Sequence, residues 1–480
     1  MKDRMEVRGK KVLVVGVARS GVAAARLLAS RGALVIANDL KPEAELRVEA
    51  EELRGLGVMI SLGGHPESLF TNADLIVVSP GVPPDIAPLR LARGSGVEII
   101  SEVELAGRFL GGRLIGITGS NGKTTTTVLT GELMRAAGAR VLVGGNIGTP
   151  LTSLAGQASD ETWTVAELSS FQLETVDSLR ANVAVVTNIT PDHLDRHGSL
   201  ENYIRAKRRI FMSQTDSDWA VLNGQDPGSE RMADSPDARA RKVYFSSRGR
   251  DLRAGARADI YLRDGRIYTT LVSPDGGEVE VMAAGEIMLR GMHNVENVMA
   301  SLAATFCAMS TRASGLEPLR ACIRRFKGVE HRIEFVAEIE GVKFYNDSKA
   351  TNVDSTAKAL EAFDRDVIVI LGGKDKDGDY RLLAPLVRER VKRIVLIGAA
   401  SDKIASHLEG SSPMARAGSM EEAVLKSFEA AVAGDTVLLA PACSSFDMFD
   451  NYEQRGRVFK EAVYKLASRV HSGWTGRLTT

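Results

Sequence analysis

Short apolar runs alternate along most of the chain with stretches whose apolar residues recur at helical spacing. The runs at 11–15, 33–38, 75–78, 141–143, 163–168, 183–187, 367–371, 393–397 and 436–439, with Leu114–Ile115 and Phe344, are too short for helices. They read as strands buried on both faces of parallel sheets. Between them, 125–137 places Val128, Leu129, Leu133 and Met134 on one helical face. From Asp259 to Val281 the pattern changes to alternation around Asp264-Gly265 and Asp275-Gly276-Gly277, which predicts a small antiparallel sheet. Residues 203–211 predict a helix with a basic face, and such a face by itself reads as solvated. A further helix, rich in alanine, is led by Gly291-Met292-His293-Asn294-Val295-Glu296-Asn297. The class is α/β in three domains, at 1–101, 102–328 and 329–480.

Composition narrows this without redirecting it. The 480 residues exceed what one core holds. Lys+Arg and Asp+Glu are equal at 61 each, so no global field recruits nucleic acid or an anionic membrane. Cys307, Cys322 and Cys443 are odd in number and unrelated in context, and they predict buried small hydrophobes in a reducing compartment. The N-terminus MKDRMEVRGK lacks an apolar signal core, and no apolar run approaches the ~20 residues of a membrane span. A soluble, cytoplasmic protein is expected, with a monomer as the default.

Candidate chemistry gathers after the strands. The run ending at Leu114–Ile115 opens into Gly116-Ile117-Thr118-Gly119-Ser120-Asn121-Gly122-Lys123-Thr124-Thr125 and then a helix. Glycines let successive N–H groups face inward, and the helix N-terminus adds partial positive charge. Lys123 can reach outer phosphates and the Thr124 hydroxyl a Mg²⁺. Ile117 stands where a strict P-loop has its first glycine, so the spacing is G-x-x-G-x-x-G-K-T. Glu167, near a strand end and followed by Ser169-Ser170-Phe171-Gln172, is placed to hold Mg²⁺, with an ordinary edge charge as the alternative. Asp192 and His193 follow the 183–187 strand. His193 and His197 share i,i+4 spacing, but without H-E-x-x-H a zinc-protease reading fails. Gly16 to Gly21, with Asp39 after the next strand, approximates a dinucleotide fingerprint in which Ala18 takes the second glycine's place. That leaves NAD, another nucleotide-like ligand and a plain turn open. The outer domains are accordingly Rossmann-like, and the central one is a P-loop mononucleotide-binding parallel sheet.

Taken together, these motifs resemble the Mur ligase family, and most closely its D-glutamate-adding branch, over essentially the whole chain. The residues that carry the resemblance are the T-G-S-N-G-K-T-T loop, Glu167 with Ser169 to Gln172, Asn188 to His193, and Gly291 to Asn297. Towards the C-terminus they are His331-Arg332, Asn346 to Asn352, and Pro441 to Gly456. The resemblance implies ATP-dependent amide synthesis through an acyl phosphate, in cytoplasmic peptidoglycan precursor synthesis, and hence a part in cell shape and division. The substrates implied are UDP-N-acetylmuramoyl-L-alanine and D-glutamate. ATP would be held by Gly119, Asn121, Gly122, Lys123, Thr124, Thr125, Asn297, Arg332 and Asp347. Two Mg²⁺ sites are implied, on Thr124, Glu167, His193 and a carbamylated Lys207, with Lys123, His193 and Lys207 catalytic. Ala18, Arg19, Ser20, Asp39, Leu40, Lys41, Ser79, Gly81, Asn146 and Ser169 would surround the UDP-sugar. Lys349, Thr351, Lys376, Ser445 and Phe446 would hold D-glutamate. Lys374 stands where relatives can carry an acidic residue. The near alternative is a Mur ligase for another amino acid. A folylpolyglutamate synthetase leaves the first domain unexplained, an NAD dehydrogenase explains only Gly16 to Asp39, and a P-loop switch needs no third domain.

Overall fold

The computed structural model describes residues 5–234, 239–309 and 315–471; residues 1–4 of the charged N-terminus lie outside them. Two compact units form, 1–286 with 296–324, and 287–295 with 325–480. Among the described residues there are three sheets. No described helix is long and apolar enough to cross a membrane.

The first unit holds two sheets. One has five parallel strands in the order Met59–Leu62, Leu34–Asp39, Lys11–Val15, Leu75–Val78, Glu98–Ser101. Chain direction across this sheet reverses beside Lys11–Val15, which opens a crevice between the Gly16–Gly21 turn and Ser79–Gly81. In the nine-stranded sheet Arg113–Thr118 is an interior strand, flanked by Trp163–Glu167 and Val183–Val186. The expected antiparallel strands, Ile260–Arg263, Arg266–Thr269 and Val279–Ala283, are present. They extend this sheet through Arg241–Ser246, attached to its parallel part. Asp264 and Gly265 both have positive φ, as a two-residue hairpin turn requires. Cys322 and Cys443 are buried as expected, whereas Cys307 is half-buried.

One continuous apolar core runs from Val12 and Leu28 through Phe109, Leu151 and Leu168 to Phe211, so the two sheets of this unit share their interior. Two buried carboxyls on the helix Glu102–Phe109 reinforce it. Glu102 accepts from the Thr152 amide at 2.8 Å and hydroxyl at 2.6 Å, and burial pushes its carboxyl up. Glu104 accepts from the amides of Asp177 at 2.9 Å and Leu179 at 3.2 Å, from the Ser178 hydroxyl at 2.5 Å and from Arg108 at 3.0 Å. Burial pushes this carboxyl up, but those hydrogen bonds outweigh it and hold it below the usual carboxylate value.

A depressed folded pKa stabilises above the unfolded value and is lost as pH falls through the folded one. Glu104→Ala should cost about 3 kcal/mol at neutral pH, because it strands several buried donors. Urea unfolding should show the deficit narrowing as pH falls below about 4.

In the second unit six strands run Glu334–Ile339, Val342–Asn346, Thr436–Leu439, Val367–Gly372, Val391–Ile397, Met414–Arg416. All pair in parallel except the first. Apolar clusters cover both faces, around Val369 and Leu396 on one side and around Phe344 and Phe459 on the other. Segment 287–295 belongs here: Arg290 lies over Tyr345 at 5.4 Å and over Phe363 at 5.6 Å.

Candidate active site

In the first unit the Gly-rich loop leaves the interior strand Arg113–Thr118 and enters the helix Lys123–Ala136. Its glycines are dictated by space and backbone. At Gly119 (φ +145°) a Cβ would lie 2.0 Å from the Thr187 hydroxyl, and at Gly122 (φ +81°) 2.2 Å from Asn297 Oδ1. The loop is braced from the neighbouring strand end. Ser120 N donates to Asn188 O at 2.8 Å, and Asn121 N to Asn188 Oδ1 at 3.0 Å. Asn297 Oδ1 accepts from Thr126 Oγ1 at 3.3 Å, which brings Asn297 against the loop. Lys123 Nζ curls onto Gly119 O at 3.0 Å and Ser120 O at 2.7 Å.

Parallel pairing sets Ile117 opposite Glu167. The Glu167 carboxylate, 1% exposed, accepts from Thr124 Oγ1 at 2.7 Å and from Asn146 Nδ2 at 2.9 Å. The hydroxyl, the carboxylate and the amide therefore meet at the mouth of the loop. Thr125 is buried behind it.

Lys207 corrects the solvated-face pattern. The helix is Leu200–Arg208, and on it Arg205 is exposed while Lys207 is 1% exposed. Its Nζ donates to Gly119 O at 2.7 Å and to Thr118 Oγ1 at 3.3 Å, with the Tyr203 ring 4.6 Å away. Burial first, and then the Lys123 charge, push its pKa well below the ordinary lysine value. His193 caps the short helix Leu194–His197 in the left-handed region, φ +52°. Its Nε2 is 3.7 Å from Asp192 Oδ2, and its ring meets Phe171 edge-on at 4.8 Å.

The first sheet's crevice gathers most of the residues expected around a UDP-sugar. Asp39 accepts from the amides of Val17 at 2.7 Å and Lys41 at 2.9 Å, and Ser79 Oγ donates to Gly16 O at 2.8 Å. Ala18, Arg19, Leu40, Lys41 and Gly81 are exposed around these bonds, and Ser20 is half-buried. Asn146 and Ser169 lie on the central sheet instead, Asn146 on Glu167 and Ser169 capping a helix through Gln172.

In the second unit three neighbouring strand ends meet. Asp347 N donates to Leu439 O at 2.8 Å, Gly372 N to Pro441 O at 2.9 Å, and Lys374 exchanges main-chain bonds with Ser444. This brings the loops bearing Lys349 and Thr351, Lys376, and Ser445 and Phe446 side by side. Ser445 is buried, while Lys376 and Phe446 are exposed, as is the Lys374 side chain. Burial pushes the Asp347 carboxyl up to about 6 against the opposing charge of Arg332. Arg332 Nε is buried and lacks a hydrogen-bond partner among the described residues, which suits an anionic ligand. Its neighbours His331 and Ile333 both have positive φ, 66° and 43°. Backbone strain of this kind persists where packing over-determines it.

Sequence reasoning missed Arg455 and Arg196. Arg455, 0% exposed, donates to Cys443 O at 3.0 Å, Ser348 O at 2.7 Å and Ser348 Oγ at 2.9 Å. It stands in the Gln454-Arg455-Gly456 motif, but nothing local to that motif announces burial.

A phosphate-binding loop over a buried carboxylate, within three α/β sheets, defines a nucleotide-using enzyme. The chain belongs to the Mur ligase family. Residues 10–101 match the MurD-like N-terminal domain, 117–305 the Mur ligase middle domain and 331–443 the Mur ligase glutamate ligase domain. It is 49% identical over 470 residues to UDP-N-acetylmuramoylalanine--D-glutamate ligase of Acidobacterium capsulatum, covering 98% of this chain and 99% of the relative. Against the enzyme of the same name from Koribacter versatilis the identity is 47%, over 97% and 99% of the two chains. The solved UDP-N-acetylmuramate-alanine ligase of Thermotoga maritima shares the fold, with TM-score 0.58 and 20% identity over 95% of this chain and all of that one. Family membership makes the chain an ATP-dependent ligase.

Proposed function

We propose that the chain joins D-glutamate to UDP-N-acetylmuramoyl-L-alanine in the cytoplasm, forming ADP and phosphate. Residues 1–101 would bind the UDP-sugar, 102–328 ATP, and 329–480 the amino acid and part of ATP. The observation that carries this reading is the meeting of Thr124, Glu167 and Asn146 under the loop, with the buried Lys207 amine on the same loop at Gly119 O. The choice of D-glutamate rests on likeness to relatives of that name.

The chemistry follows from the substrate. A carboxylate repels nucleophiles and lacks a leaving group, and transfer of the γ-phosphoryl group from ATP to the alanyl carboxylate removes both obstacles. The D-glutamate nitrogen then attacks the acyl carbon, phosphate leaves with the bonding pair, and the amine loses a proton. Lys123 and the loop amides neutralise charge on the transferring group. The oxygen-rich set of Thr124 and Glu167 fits Mg²⁺, as does His193 with Lys207 once carbamylated. Bound there, Mg²⁺ would screen the phosphates. Addition of CO₂ to the neutral Lys207 amine, with loss of one proton, converts a buried would-be cation into an anionic oxygen donor. Arg332 and Asp347 suit the nucleotide, and Lys349, Thr351, Lys376, Ser445 and Phe446 the diacid.

The test is ADP formation from ATP with UDP-N-acetylmuramoyl-L-alanine and each candidate amino acid. Turnover should require D-glutamate; turnover indifferent to it, or supported equally by L-alanine or a diamino acid, overturns the reading.

A further inference from the structure

Arg196 bridges the two sheets of the first unit. It follows His193 by three positions, on the short helix that His193 caps. One guanidinium nitrogen donates to Pro80 O at 3.3 Å, within the Ser79–Gly81 turn of the first sheet. The other pairs with Glu174 at 3.0 Å. The planar group lies 4.2 Å from the centre of the Phe171 ring. Phe171 in turn meets His193 edge-on at 4.8 Å and stacks with His197 at 5.5 Å. Glu174 also faces His197 Nδ1 at 3.3 Å, and His197 Nε2 lies 2.9 Å from Ser170 Oγ. These partners are well packed: the side chains of Arg196 and Glu174 are 24% and 20% exposed.

The His193 main chain is held in the left-handed region, disfavoured for a residue with a Cβ, by the Arg196 and His197 amides that donate to its carbonyl at 3.2 and 3.1 Å. Its ring is placed by its neighbours. The Phe171 edge is one of them, and Phe171 is pressed by Arg196. A guanidinium presents a flat face to a ring and two separate edges to acceptors at once, which an ammonium cannot do.

We infer that Arg196 is a positioning residue tying the UDP-sugar turn at Ser79–Gly81 to the placement of the His193 ring through Phe171. This rests on the proposed substrate. It is distinct from the groups assigned to phosphoryl transfer, since Arg196 acts through Pro80 and Phe171 and is assigned no contact with reacting atoms.

The test uses the full chain in two readouts. In turnover, R196A should lower kcat/KM for UDP-N-acetylmuramoyl-L-alanine by about 10–100-fold, the range for residues that orient a functional group. The KM for D-glutamate should be unchanged, R196K should not restore activity, and added ethylguanidinium should restore part of it. F171L should produce a loss of similar size, and the double variant should lose no more than either single one. In the second readout, histidine-labelled NMR with His193 assigned through H193Q, UDP-N-acetylmuramoyl-L-alanine should shift the His193 ring signal in the unmutated chain and not in R196A. An equal His193 shift in R196A, or an R196A loss spread over all three substrates without guanidinium rescue, overturns the inference. Failure of the unmutated chain to bind the UDP-sugar also overturns it. Binding with the His193 shift but without D-glutamate-dependent turnover upholds it and overturns the proposed amine instead.

Discussion

Lys207→Ala is expected to lower kcat by about 100–1000-fold, the scale of removing one pre-organised charge from an active site. The amine is enclosed and donates to the main chain of the phosphate loop, and burial, then the Lys123 charge, push its pKa well below the ordinary lysine value. Only an uncharged amine adds CO₂, so the pocket selects the form that carbamylation needs. Added formate or acetate should recover part of the loss in the alanine variant by returning a carboxylate to the vacated space. Lys207→Arg should stay inactive with or without it. Normal turnover by Lys207→Ala would sink the carbamate assignment. Stability supplies a second check. A lysine whose folded pKa lies below its unfolded one binds fewer protons in the folded chain, so its contribution becomes less favourable as pH falls through the unfolded value. The alanine variant should lack that slope below about pH 10 in urea unfolding.

Arg455→Ala should destabilise the second unit by about 3–5 kcal/mol, because it strands two carbonyls and a hydroxyl and leaves a cavity the size of a guanidinium stem. Burial pushes the Arg455 pKa down to about 10, so the group is still a cation at neutral pH. It pins Ser348 to Cys443, that is, the loop carrying Lys349 and Thr351 to the loop carrying Ser445 and Phe446. Arg455→Lys keeps the charge but cannot reach all three acceptors. It should therefore recover only part of the stability while still raising the D-glutamate KM. A lysine variant with unaltered D-glutamate KM would show that the bracket supports folding alone. Urea unfolding followed in parallel with the kinetics separates the two effects.

Much of the scaffold was legible because its signals are local. Fully apolar runs bounded by turn residues marked most of the inner strands. The Asp264-Gly265 hairpin and the Gly-rich loop announced themselves through the few residues that tolerate their backbone geometry. Several other strands, among them the interior Trp219–Asn223, were not legible. Met59–Leu62 and Glu98–Ser101 flank the first sheet, and Arg241–Ser246 opens with two charged residues, so their side chains alternate or stay partly wet. Their periodicity is correspondingly weak.

The site divides along the same line. The sequence by itself determined the shape of the phosphate loop, since glycine placement and the helix that follows are properties of neighbouring residues. It also placed Glu167, Asp192 and Ser445 near strand ends, where a parallel sheet collects its chemistry. Only the tertiary structure decided that Lys207 is buried while Arg205, on the same helix, is exposed. It also decided that Thr124 meets Glu167, and that Arg196 spans from Pro80 to Phe171. Those facts depend on which strands lie side by side and on what the surrounding core excludes from water. Charge state and proximity across 43 positions, as between Thr124 and Glu167, are set by that packing and carry no local signature.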